Sequence, residues 1–229
     1  MAIDILAFGA HPDDVEIGAG GTLLKHASTG KAIVICDLTY AELSSNGDVQ
    51  TRQAEAKQAA KILRLKDRHC LGLPDRNILI NEENIRKVVQ VIRKYKPKTI
   101  LAPYWEDRHP DHEQCSHLVR ESVFSAGIRK FAPEVGEAHK AANVFYYFIN
   151  DFVDPDICID ITSMYEGKMA ALESYKSQFE LTEGNVETPL NTGYFAQVRS
   201  REYIFGRKIA TNFAEGFKTR GPVQMEYFG

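Results

Sequence analysis

Ile5-Leu6-Ala7-Phe8-Gly9-Ala10-His11-Pro12-Asp13-Asp14-Val15-Glu16 is a short apolar run that ends in an imidazole and a cluster of carboxylates. An apolar run of this length, closed by turn residues, reads as a buried strand. The pattern returns downstream, where Ile100-Leu101-Ala102-Pro103 is followed by Arg108-His109-Pro110-Asp111-His112. Both stretches set histidine and carboxylate groups just past the end of a strand.

The rest of the chain alternates in the same way. Strands are expected over residues 4–9, 32–38, 68–72, 99–102, 143–149 and 157–161, and helices over 17–29, 51–65, 82–95, 111–126, 163–177 and 197–213. In the third helix Ile85, Val88, Val89 and Ile92 fall on one face, and Pro97 ends it. Residues 180–196 read as a long loop rich in Thr, Asn, Gly and Pro, and a tail follows the last helix. Short apolar strands alternating with helices imply βαβ units and a parallel sheet. The expected fold class is therefore α/β: a Rossmann-like three-layer sandwich with a mostly parallel sheet and a C-terminal extension, forming one domain over residues 1–229. Ligands of open α/β sheets bind past the carboxyl ends of the strands, where strand order reverses. If the strands at 4–9 and 99–102 are neighbours there, one pocket receives both histidine segments.

Composition narrows the function classes. The chain has 229 residues, 44% of them hydrophobic and 26% charged, with a net charge of −3 and no block of like charge. No nucleic-acid or anionic-membrane partner is expected. No stretch approaches the roughly 20 apolar residues of a membrane span. Asp4 stands where a signal peptide would be basic, and Cys36, Cys70, Cys115 and Cys158 form no CxxC pair. Four free thiols and a cytoplasmic location are expected. Gly18-Ala19-Gly20-Gly21 fits no GxGxxG frame, so these glycines are expected to let a helix approach its neighbours closely.

The two segments supply the parts of a hydrolytic metal site. A catalytic zinc takes about three protein ligands and leaves a position for water. His11, Asp14 and His112 are the expected ligands, with Asp13 beside them as general base. His109, one helical turn before His112, would act as a protonated ring that stabilises an oxyanion or donates a proton. Asp111 would orient His109 and raise its pKa. Two histidines and a carboxylate also make the facial triad of non-haem iron oxygenases, and ferrous iron is the alternative to zinc in the cell. A non-catalytic binding protein is the third class.

These residues resemble the PIG-L/LmbE family of zinc-dependent N-acetylglucosaminide deacetylases. The family hallmarks stand here as Ala10-His11-Pro12-Asp13-Asp14-Val15-Glu16 and His109-Pro110-Asp111-His112, with Val15 where many members carry an acid. Asp37-Leu38-Thr39, Ala41-Glu42-Leu43-Ser44-Ser45-Asn46-Gly47, Leu73-Pro74-Asp75-Arg76, Tyr175-Lys176-Ser177-Gln178-Phe179 and Ala214-Glu215-Gly216-Phe217 are similar to the bacillithiol-pathway branch. That branch deacetylates N-acetylglucosaminyl-malate, and close relatives act on chitin fragments or other N-acetylglucosamine compounds. The resemblance implies zinc, the Asp13 role and a homo-oligomer, often a hexamer. It also implies that Arg52, Glu42 and Asp75 bind sugar hydroxyls, and that Tyr194, in the long loop, is a mobile group polarising the scissile carbonyl. Arg108 would read a substrate carboxylate such as malate.

Overall fold

Ile5–Gly9 forms β1, and all five residues are buried, as an apolar run covered on both faces demands. In the computed structural model, which describes residues 2–223, the chain continues as α1 (Asp14–Ser28), β2 (Ile33–Asp37), α2 (Val49–Ile62) and β3 (Asp67–Cys70). Next come α3 (Glu82–Tyr95), β4 (Thr99–Pro103), α4 (Pro110–Ala126) and β5 (Asn143–Tyr147). The last third holds β6 (Ile157–Asp160), α5 (Tyr165–Glu173), α6 (Lys176–Phe179), α7 (Tyr194–Lys208) and β7 (Ala214–Lys218).

The strands form one sheet in the order β3-β2-β1-β4-β5-β7-β6. The first five are parallel, and β7 runs antiparallel between β5 and β6. Alternation along β1 divides the core. Leu6 and Phe8 pack with Val88, Ile92 and Leu118 of α3 and α4, while Ile5 and Ala7 pack with Leu23, Ala56 and Leu172 of α1, α2 and α5. This is the expected layered α/β architecture. β1 pairs directly with β4, Ile5 opposite Thr99, so strand order reverses between them and both histidine segments leave the same sheet edge.

Several boundaries differ from the sequence reading. α1 begins at Asp14 and runs through the glycines. A Cβ on Gly18 would lie 2.1 Å from Tyr147 Cδ2, and one on Gly21 would lie 2.8 Å from Ile161 Cδ1. Close packing therefore overrides their poor helix propensity. The expected helix over 163–177 divides at Ser174-Tyr175, where Tyr175 leaves helical geometry and buries its hydroxyl on Glu16 at 2.7 Å. The last helix starts at Tyr194, and residues 214–218, read as tail, form β7. That strand is masked in the sequence by a glycine and an acid. Gly216 is required because a Cβ would meet Phe205 at 2.7 Å, and Glu215 is buried against a cation.

That cation is Lys168, fully buried with Glu202 and Glu215 (2.6 Å) as its carboxylate partners. Glu215 also accepts hydrogen bonds from the Gly21 and Thr22 amides of α1, at 2.9 and 2.7 Å. The Ile17 carbonyl accepts from Lys168 Nζ and from Arg201, both at 2.8 Å. The C-terminal third thus grips the backbone of α1 just behind the histidine segment. Among the described residues the four cysteines are free, and no helix is long and apolar enough to cross a membrane.

Candidate active site

His11, Asp13 and Asp14 occupy the turn from β1 into α1. Asp13 has φ +124°, a conformation rarely adopted by non-glycine residues, which ends the turn and caps the helix. His109 caps α4, and Pro110 fills the first helical position. The two turns bring His11, His109 and His112 together, with ring nitrogens within 4.8 Å of one another. Asp14 faces both outer rings: its Oδ2 lies 3.6 Å from His11 Nδ1 and its Oδ1 lies 3.2 Å from His112 Nε2.

The donor set fits a divalent metal. Burial opposes charge on His112, yet Asp14 and Asp107 push its pKa up to about 9. Burial likewise opposes charge on His11, and Asp111, Asp14 and Asp75 overcome it. A buried, carboxylate-rich hollow that draws positive charge onto two imidazoles is one a cation can occupy instead. His11, Asp14 and His112 would hold that ion.

Asp13 is 3% exposed, and burial pushes its pKa up to about 7 against the pull of Arg52. The Arg52 guanidinium sits 2.8 Å from Asp13 Oδ2 and donates through Nε to the Pro12 carbonyl at 2.8 Å. A carboxylate poised near neutrality beside a metal pocket suits a general base. Arg52 was expected on the sugar. It is instead the partner of Asp13, and among the described residues its buried Nη1 has no hydrogen-bond partner.

Further expectations are corrected. The Asp111 carboxylate is not the group that holds His109. It accepts from the Arg76 backbone at 2.8 Å and side chain at 3.0 Å, and lies 3.6 Å from His11 Nε2. The His109 pKa is lowered to about 4, first by burial and then by His112 and His11, so the ring is neutral at pH 7. Its Nδ1 accepts from the Asp111 amide at 3.2 Å, which leaves the proton on Nε2. Asp75 is not free for sugar hydroxyls either. Its oxygens face His11 Nε2 at 3.1 Å and the Leu43 amide at 3.0 Å. Glu42 is exposed and accepts from the Asp75 amide at 2.8 Å, holding that loop in place. Tyr194 is not in the loop. It is 2% exposed, and its hydroxyl donates to the Ile149 carbonyl at 3.1 Å and to Asn150 Oδ1 at 3.2 Å.

A cavity of about 330 Å³ opens over these groups, lined by Asp13, Arg52, Arg76, Arg108, His109 and Gln178 among others. Arg108 donates to Asn150 Oδ1 at 3.1 Å. Among the described residues its guanidinium has no carboxylate partner, whereas Arg52 and Arg76 each have one. Sequence reasoning missed Asp107 and Asn150. Asp107 accepts from His112 Nδ1, the His109 amide and Asn150, each at 2.9 Å. Asn150 lies just past the carboxyl end of β5, the strand beside β4, and that position was its signal. Glu16, which follows the variant Val15, is buried and anchors Arg68 at 2.5 Å; Arg68 in turn pairs with Asp37. It serves the scaffold.

Residues 6–123 match the PIG-L family model, described as GlcNAc-PI de-N-acetylase. The chain is 29% identical to the diacetylchitobiose deacetylase of Thermococcus kodakarensis, over 93% of this chain and 82% of that protein. It is 26% identical to the 4-oxalmesaconate hydratase of Pseudomonas putida, covering 95% and 89%. It is 25% identical to a probable N-acetyl-α-D-glucosaminyl L-malate deacetylase of Bacillus cereus, covering 79% and 86%. The crystal structure of the conserved protein TT1542 from Thermus thermophilus superposes with a TM-score of 0.90 at 30% identity over 99% of each chain. The chain belongs to the PIG-L family and is a hydrolytic N-deacetylase.

Proposed function

We propose that this enzyme removes the acetyl group from an N-acetylglucosamine conjugate that carries a carboxylate, N-acetylglucosaminyl-malate being the best fit. The observation that carries the reading is Asp13, a buried carboxylate with its pKa near 7, set between Arg52 and the His11/Asp14/His112 cluster. Zinc bound by that cluster, or ferrous iron in the cell, would polarise the amide carbonyl and acidify a water.

The chain's own groups do the rest. Asp13 takes a proton from the water as its oxygen attacks the carbonyl carbon. Neutral His109, at a helix N-terminus, presents its Nε2 proton to the carbonyl oxygen. A neutral imidazole at such a position can polarise a carbonyl. Asp13 then returns the proton to the amine nitrogen as the C–N bond breaks and acetate leaves. Arg52 holds Asp13 in place, and Tyr194 holds the pocket wall through Ile149 and Asn150. Arg108, whose guanidinium has no carboxylate partner among the described residues, suits the malate carboxylates as a forked donor. The same reading makes the protein a cytoplasmic homo-oligomer, a hexamer by family resemblance.

A second reading, deacetylation of chito-oligosaccharides, is favoured by the diacetylchitobiose deacetylase's higher identity over a larger share of this chain. Amine release from N-acetylglucosaminyl-malate and from diacetylchitobiose by the metal-loaded enzyme separates the two. A preference for the malate conjugate that disappears in Arg108→Ala is expected. Equal rates, or a preference untouched by Arg108→Ala, would refute the malate assignment.

A further inference from the structure

We propose that Asp75 and Asp107 are the positioning carboxylates of the two metal-holding histidines, each fixing one ring so that the opposite nitrogen faces Asp14. The proposal rests on the metal reading above and concerns which atoms that site offers.

The two rings are used in opposite senses. Nε2 of His11 meets Asp75 Oδ1 at 3.1 Å, while its Nδ1 faces Asp14 Oδ2 at 3.6 Å. Nδ1 of His112 meets Asp107 Oδ1 at 2.9 Å, while its Nε2 faces Asp14 Oδ1 at 3.2 Å. A carboxylate only accepts, so Asp75 and Asp107 keep a proton on the nitrogens they contact; a cation taking the place beside Asp14 would displace the proton from the opposite nitrogen and use its lone pair. A ligating imidazole needs that lone pair, and a carboxylate behind it raises its basicity and holds its plane.

Both carboxylates are themselves held. Asp107 collects the His109 amide and the Asn150 side chain on Oδ1, and the Asn150 amide on Oδ2, each at 2.9 Å. Asn150 is in turn fixed by Tyr194 and Arg108. The second oxygen of Asp75 takes the Leu43 amide at 3.0 Å, and the Asp75 amide is tied to Glu42. Glu42 and Tyr194 thus act on the metal ligands through the groups that hold the two positioning carboxylates.

His11, Asp75 and Asp111 also lie close enough together to resemble a second cation site, with ligand atoms within 4.8 Å. Their oxygens are already engaged. Asp111 takes two donors from Arg76, and Asp75 takes the Leu43 amide and His11. A positioning role for Asp75 uses these contacts as they stand, whereas a second cation would have to displace them.

The test uses the full chain and zinc(II). Affinity is measured by chelator competition for wild type, Asp75→Asn and Asp107→Asn, with thermal unfolding of each metal-free protein to confirm folding. A 10–100-fold loss of affinity is expected in each folded variant. Nitrogen-15 imidazole spectra of the zinc-loaded wild type should show His11 bound through Nδ1 and His112 through Nε2. Wild-type affinity in both variants, or both rings ligating through the same nitrogen, would overturn the proposal. So would two bound equivalents falling to one in Asp75→Asn, which would make the cluster a second cation site. A wild type that takes up no zinc would remove the metal reading itself, and this inference with it.

Discussion

Lys168→Met probes the grip of the C-terminal third on α1. Lys168 is fully buried between Glu202 and Glu215, and its ammonium also donates to the Ile17 carbonyl at 2.8 Å. Methionine fills similar volume without the charge, leaving two buried carboxylates with Arg201 as the nearby cation. Removing one partner of a buried pair costs about 3–5 kcal/mol. For a chain of this size that corresponds to a fall in Tm of roughly 6–20 °C. The loss has a pH signature. Burial already raises the Glu202 pKa, and Lys168 and Arg201 oppose the rise. Without Lys168 the folded value rises further above the unfolded value of about 4.3. The folded state then keeps a proton that the unfolded state has released. Stability is present below the unfolded pKa and is lost as pH rises through the folded one. The deficit should therefore be larger at pH 8 than at pH 5 in denaturant unfolding at matched protein concentration. Adding Glu202→Gln should recover part of it. A deficit below about 1 kcal/mol at pH 8, or one that grows on acidification, would refute this account of the cluster.

Asp13→Asn should reduce turnover about 10²–10⁴-fold while leaving the bound-metal stoichiometry unchanged; wild-type turnover in a metal-loaded sample would remove Asp13 from the base role. Gly18→Ala would place a Cβ 2.1 Å from Tyr147 Cδ2 and 2.6 Å from the Phe148 carbonyl. Overpacking against backbone should cost at least about 1–3 kcal/mol. A Tm equal to wild type would mean that α1 can back away from β5.

The strands and the two histidine turns were legible because burial and metal chemistry both leave local marks. β1 and residues 100–103 of β4 are apolar runs, and His11, Asp14, His109 and His112 lie within nine residues of their ends. The partners of those groups were less legible because they act across the sheet. Asp75 reaches His11 over 64 positions, and Asn150 reaches Asp107 over 43. Asp107 is only five residues from His112, but it sits in the loop before α4, a spacing with no helical or strand period. Resemblance placed Arg52, Glu42, Asp75 and Tyr194 near the site, yet their roles depend on which atom each side chain meets. β7 escaped because its glycine and acid answer to tertiary neighbours rather than to strand propensity.

The position of β7 bears on how the protein is made. Among the described residues β6 hydrogen-bonds only to β7 within the sheet, and β7 lies between it and β5. While residues 214–218 are still untranslated, the strand at 157–160 has no neighbour, and the amides of Gly21 and Thr22 lack Glu215. A nascent chain that already contains every histidine of the pocket therefore cannot yet close the sheet behind it. Contacts of such long sequence separation form slowly. Synthesis delivers the binding groups early and the sheet behind them late, so the sheet is completed only after the strand at 214–218 has emerged.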